Sequence, residues 1–335
     1  MGIDLAVIWF VIIIFATLMY IVMDGFDLGV GILLLLVEDR HDKDIMVNSV
    51  APVWDGNETW LVLGGAALFG AFPLAYAVII DALAIPLTFM LVALIFRGLA
   101  FEFRFKAFEG HRKAWDRAFA IGSVAATFFQ GVVLGAVISG FPVIDRSFAG
   151  SQLDWLAPFP LLCGVGLVVA YGLLGSSWLI MKTQGHLQQQ MFLLSRSLLI
   201  GLLVAIVLVS IWTPLAHPQI AERWFSLPNL IFLSPVPLLT ALLGWNLHLG
   251  LQRQDTYQPF VMTLLLVLLG FCGLGISIWP YIIPPGINIW QASAPPQSQG
   301  FMLVGALFII PIILVYTCWT YYVFRGKVSA DDAYH

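Results

Sequence analysis

Asp24 and Asp27 stand inside an apolar run that extends from about Leu5 to Val37, within the stretch Met-Asp-Gly-Phe-Asp-Leu-Gly-Val-Gly, Met23 to Gly31. A carboxylate at the centre of a membrane helix costs on the order of 2.5–3.5 kcal/mol on insertion scales, so two of them three residues apart need an explanation. The default chemistry for such acids is an ion or proton route. On a helix Asp24, Asp27 and Gly31 share one stripe. Gly25 and Gly29 form a small-xxx-small pair beside it, which lets another helix approach backbone to backbone. The pattern predicts a helix packed in protein, with its acids turned away from lipid.

A second group of acids opens the next apolar run, in Ala-Pro-Val-Trp-Asp-Gly-Asn-Glu-Thr-Trp, Ala51 to Trp60. Asp55 lies about 7 Å inside the inner end of that run at roughly 1.5 Å per residue, a depth near that of Asp27. Two helices joined by a tight loop would thus bring Asp24, Asp27 and Asp55, with Asn57 and Glu58, into one polar spot. The competing reading is local: Pro52 and Asp55 mark a helix N-terminus, where a carboxylate offsets the positive dipole end. Capping does not cover Asp24 and Asp27. Asp81 reads as an interfacial acid. The stretch Phe96 to Lys106, Phe-Arg-Gly-Leu-Ala-Phe-Glu-Phe-Arg-Phe-Lys, suits a helix leaving the membrane, with Glu102 paired to Arg97 or Arg104 across one turn.

The elements that must position these residues are membrane helices. Of 335 residues 60% are hydrophobic and only 10% charged, against about 25% charged in soluble domains. The mean hydropathy is +0.94. Apolar runs long enough to span fall near 5–37, 50–72, 75–100, 117–140, 158–181, 195–215, 229–250, 259–281 and 301–324, which predicts nine helices in one all-α integral membrane domain. Short connections predict antiparallel neighbours. All 15 Lys and Arg residues except Arg146 and Arg223 follow odd-numbered helices, which predicts an outside N-terminus and a cytoplasmic C-terminus. No cleavable signal peptide is visible, because Met1 to Ala6 lacks a basic start and the first apolar run far exceeds an h-region. Cys163, Cys272 and Cys318 all lie in apolar segments without CxxC spacing and read as small hydrophobes.

Other chemistries find no residues to carry them. A net charge of -4 and the lack of a basic cluster with interleaved aromatics argue against nucleic acid as a partner. The histidines offer no opposed buried pair for a bis-His haem, and only His248 falls within a span. Walker, HExxH and GxSxG motifs are absent. Two classes remain: a subunit supplying protons to a redox partner, and a self-sufficient proton- or ion-coupled secondary transporter. A transporter would place its acids near the midplane beside broken helices in a repeated half. Here they gather in one region with no visible counterpart, which tilts the reading to the first class.

The Met23–Gly31 stretch, the Ala51–Trp60 stretch with Ala-Leu-Phe-Gly-Ala-Phe-Pro-Leu-Ala-Tyr-Ala behind it, the Phe96–Lys106 stretch and the closing Tyr-Tyr-Val-Phe-Arg-Gly-Lys resemble subunit II of cytochrome bd-type quinol oxidases. The resemblance covers the whole chain, and the short length and Gly-Asn-Glu-Thr-Trp wording look closest to the cyanide-insensitive branch. It implies a bacterial plasma-membrane oxidase passing electrons from quinol to dioxygen. It further implies two four-helix bundles plus one extra helix in this chain, a subunit I carrying the quinol site and haems b and d (or b-type haems only), and in some members a small accessory subunit. Some members hold a structural quinone or lipid in subunit II. By the same resemblance Asp24, Asp27 and Asp55 look like the wall of a cytoplasmic proton-access route at the subunit interface, bordered by Trp54. Trp60 matches the tryptophan near which an oxygen tunnel opens toward the partner's haem. Glu58 stands where other members have glutamine.

Overall fold

The computed structural model describes residues 4–329. α1 (Leu5–Leu33) starts at Asp4, whose carboxylate accepts the Val7 N–H and so satisfies one orphan donor of the first turn. A 3-10 turn carries it on to Leu36. The short α2 (Arg40–Asn48) leads to α3 (Trp54–Ala71) and α4 (Pro73–Ala82), which bend by 118° against each other at Phe72. The cause is local: a residue before proline is pushed out of the helical region, and Phe72 takes φ -133°, ψ 63°.

α5 (Ala84–Lys106) begins after a second interruption at Leu83, because Pro86 has no N–H to give the Ala82 carbonyl. The span predicted near 75–100 is therefore two helices. Next come α6 (Glu109–Ser139), the β1–β2 hairpin (Val143–Ile144 with Ser147–Phe148), α7 (Pro158–Lys182) and α8 (Gly185–Ala216). After the short α9 (Pro218–Phe225) and α10 (Asn229–Leu233) follow α11 (Pro235–Arg253), α12 (Gln258–Ile278), a second hairpin of β3 (Tyr281–Ile283) and β4 (Ile287–Asn288), α13 (Ile289–Ala292) and α14 (Pro296–Val323). Among the described residues eight helices are long and apolar enough to cross a membrane, or nine with the bent α3–α4 pair. The nine predicted runs match these except that α4, expected within the third run, adjoins α3 across the bend, and the fold is all-α and polytopic.

α1, α3, α5 and α6 pack together on one side, α7, α8, α11 and α12 on the other, and α14 lies against α1 and α3. The two groups join where α7 packs against α1 and α6. A Cβ at Gly29 would collide with the Tyr171 carbonyl, and one at Gly175 would lie 2.8 Å from the Gly29 Cα, so the backbones touch only because both are glycine. Gly25 faces the Tyr171 ring and Gly31 faces Ser123 of α6.

At the hairpin end Trp290 Nε1 donates to Asp4 Oδ2 at 2.8 Å, and the Ala71 carbonyl that ends α3 accepts from the Ala294 N–H at 2.9 Å and from Gln299. At the opposite, basic end the tail after α14 straps across the end of α7. Lys182 Nζ donates to the Phe324 carbonyl at 2.6 Å, Lys327 Nζ to the Thr183 carbonyl at 2.8 Å, and Val328 N–H to the Lys182 carbonyl at 2.8 Å. Lysines thereby satisfy carbonyls that helix ends leave open.

Candidate functional site

Asp24 and Asp27 point inward from α1, and both are fully buried. The partner of Asp24 comes from α5: Arg97 Nη1 donates to Asp24 Oδ1 at 2.6 Å, and both side chains are sealed from solvent. The same guanidinium reaches Glu58 Oε1 of α3 through Nη2 at 3.1 Å, and Glu58 keeps 27% exposure. Trp54 lies over the guanidinium, 5.9 Å from ring centroid to Cζ, and stacks on Phe101 at 5.1 Å. An aromatic face beside a desolvated cation adds favourable electrostatics without adding charge.

Asp27 is held differently. Asn57 Nδ2 donates to Asp27 Oδ2 at 2.6 Å and to the Met23 carbonyl at 3.2 Å. Asn57 Oδ1 in turn accepts the Tyr321 hydroxyl of α14 at 3.0 Å, so the amide orientation is fixed from both sides. Four helices thus supply two hydrogen-bonded sets side by side: Asp24, Arg97 and Glu58 in one, Asp27, Asn57 and Tyr321 in the other. Three carboxyl groups thus share one nearby guanidinium, an excess of acids that burial makes costly.

Asp55 does not join this group. It is exposed in the first turn of α3, one turn before Glu58, and its side chain makes no hydrogen bond to the buried acids. The expected single spot of Asp24, Asp27 and Asp55 is therefore corrected. The first turn of α3 points Asp55 outward, and Asn57 and Glu58 take the inward positions. The expected pairing of Glu102 with Arg97 or Arg104 is also corrected. Glu102 sits 3.7 Å from Lys106, both exposed, whereas Arg104 joins Asp44 at 2.7 Å and Asp116 at 2.6 Å. Arg97 and Arg104 lie seven residues apart on a face turned to other helices, while Glu102 falls on the far side.

Trp60 is fully buried between α1, α3 and α14, edge-on to Phe15 at 5.6 Å, with no partner for its N–H. It opens on no surface of this chain. Asp81 is exposed and accepts from Gln152 at 3.3 Å. Sequence reasoning missed Arg97 as the counter-ion, although a lone cation in the apolar run from Ala84 to Ala100 was a signal. Tyr321 gave none. Among the described residues no three or more His, Cys, Asp or Glu side chains form a metal-binding group, and no histidine is buried.

A family described as cytochrome bd terminal oxidase subunit II matches residues 5–324. The chain is 28% identical over 364 residues to the cytochrome bd-I ubiquinol oxidase subunit 2 of Escherichia coli K12, covering 97% of this chain and 95% of that protein. It is 30% identical over 362 residues to the probable cytochrome oxidase subunit 2 of Haemophilus influenzae, with the same coverage. It is 26% identical over 336 residues to the cytochrome bd ubiquinol oxidase subunit 2 of Bacillus subtilis, covering 97% of each. A chain in the structure of bd oxidase from Geobacillus thermodenitrificans superposes with a TM-score of 0.77 at 19% identity, over 97% of this chain and 100% of that one, a likeness of fold.

Proposed function

Because the chain belongs to the cytochrome bd terminal oxidase subunit II family, we propose that its buried acids carry protons from the cytoplasmic side toward a haem-bearing subunit I. The chain is subunit II of a quinol oxidase complex and a multi-pass bacterial inner-membrane protein. A self-sufficient transporter is not favoured. The haem of the complex is expected in subunit I, and no described histidine of this chain is buried to form a bis-His site. The residues of this chain hold and pass protons; quinol oxidation belongs to the partner.

One observation carries the proposal. Arg97 bridges sealed Asp24 to Glu58, whose carboxyl reaches the surface of α3. Glu58 and exposed Asp55 are one turn apart, at a depth where a carboxylate facing acyl chains is costly. Subunit I and the water at its seam are the natural cover for them, so Asp55 is the rim of the route, Glu58 its outlet, and Asp24 and Asp27 its buried stations. Trp54 shields the guanidinium. The basic end, with 13 of the 15 Lys and Arg residues assigned to it by sequence, faces the cytoplasm. For oxygen, Trp60 with Phe15 and Ile313 offers apolar lining within the chain rather than a mouth. Lipids, and in some members an accessory subunit or a structural quinone, would cover the apolar faces of α8, α11 and α12.

The test is Asp24→Asn, Asp27→Asn and Glu58→Gln in the purified complex. Haem content per assembled complex should stay normal while oxidase turnover falls. Unaltered turnover in all three would leave these carboxyls with a packing role only.

A further inference from the structure

The stripe on α1 that carries Asp24 and Asp27 continues through Tyr20 and Gly31, all within one helical face. α6 presents a matching face of Ser123, Thr127 and Gln130. The two faces meet at both ends. A side chain on Gly31 would run into Ser123, and Gln130 Nε2 donates to the Tyr20 hydroxyl at 2.6 Å. An antiparallel register pinned at those two points sets Thr127 opposite the turn of α1 that holds Asp24 and Asp27.

Thr127 is fully buried, and its hydroxyl has no protein partner. The same is true of Asp24 Oδ2, Asp27 Oδ1 and Arg97 Nε. Buried polar groups without a protein partner are met by internal water, which makes about three hydrogen bonds in such sites. Two carboxyl oxygens, one guanidinium N–H and one hydroxyl are a set that water can satisfy and that no apolar ligand can. We propose that the seam between α1 and α6 holds ordered internal water anchored by Thr127, and that protons pass between Asp27 and Asp24 through it. The inference rests on the proton role proposed for the acids and deepens it by naming a further positioning residue and its ligand. Each transfer is an exchange along hydrogen bonds. A protonated carboxyl gives its proton to the water as the water gives one of its own to the next carboxylate, and no electron moves. Tyr20 and Gln130 close the seam toward the hairpin end, so the water serves the acids without opening a path across the membrane.

The experiment uses the intact oxidase complex with Thr127→Val, which keeps the shape and removes the hydroxyl, and Thr127→Ser, which keeps the hydroxyl. Haem content, turnover and the turnover ratio in H2O against D2O are read together. Thr127→Val should lower turnover by about tenfold and raise the isotope ratio at normal haem content, the loss expected from one hydrogen bond in a charged network. Thr127→Ser should restore both. Wild-type turnover and isotope ratio in Thr127→Val, or equal impairment in Thr127→Ser, overturns the inference. Asp24→Asn impaired beside an unaltered Thr127→Val sinks the water alone, whereas unaltered Asp24→Asn and Asp27→Asn sink the role of the acids and the water with it.

Discussion

Replacing Arg97 by methionine removes the only cation among three carboxyl groups while keeping an unbranched side chain in its place. The structure sets the size of the effect. Arg97 and Asp24 are both sealed from bulk solvent, and their contact is 2.6 Å. Breaking a buried pair by removing one partner costs about 3–5 kcal/mol, because the other charge is left uncompensated. Set against a typical stability of about 5–15 kcal/mol, that is enough to deplete the assembled complex. Arg97→Met with Asp24→Asn removes the charge stranded on sealed Asp24, so part of the loss should return. The assay is a double-mutant cycle on the yield and thermal midpoint of haem-containing complex in mild detergent. A double variant as depleted as the sum of the two singles would show that Arg97 acts through packing on Trp54 and not as the counter-ion of Asp24.

Other outcomes follow from named contacts. Gly29→Ala should abolish assembly, because its methyl meets the Tyr171 carbonyl and the Gly175 backbone, whereas Gly25→Ala meets only the Tyr171 ring and Leu174 side chain and should assemble; complex yield in membranes decides between them. Tyr321→Phe frees the Asn57 amide, at a cost of about 0.5–1.5 kcal/mol for one hydrogen bond, read as a lower thermal midpoint with intact haem. At the hairpin end, hydrogen bonds from Trp290 and then from the Val7 N–H hold the Asp4 carboxyl below its usual range. A carboxylate lowered by folding stabilises above its unfolded value and loses that contribution as pH falls through the folded one. The thermal midpoint of wild type should therefore converge on that of Trp290→Phe in acid, and a constant gap between them would refute the assignment.

How much of this was legible depends on how far the informative residues lie apart. Asp24, Asp27, Gly25 and Gly29 are neighbours on one helix, so their spacing alone predicted an α1 buried in protein, and nine apolar runs gave the spans. What failed was partnership between helices. Arg97 lies 73 residues from Asp24, and helical periodicity relates residues three or four apart, so it suggested Glu102 instead. Counted as a loop charge for topology, Arg97 was hidden as a buried counter-ion. Asp55 and Glu58 are one turn apart, and the sequence could not say which faced inward. The break at Leu83 was readable from Pro86 but was masked by unbroken hydrophobicity. Tyr321 closes the network from the last spanning helix through a single hydroxyl, and nothing local marks it.

Proton uptake itself tests the central claim most directly. The reduced complex is placed in vesicles with a pH-sensitive dye on the cytoplasmic side, oxygen is admitted, and dye response and haem oxidation are followed together. In Asp27→Asn the first electron transfer should proceed at the wild-type rate while proton uptake lags well behind it. Uptake that keeps pace with haem oxidation in Asp27→Asn and in Asp24→Asn would contradict the account.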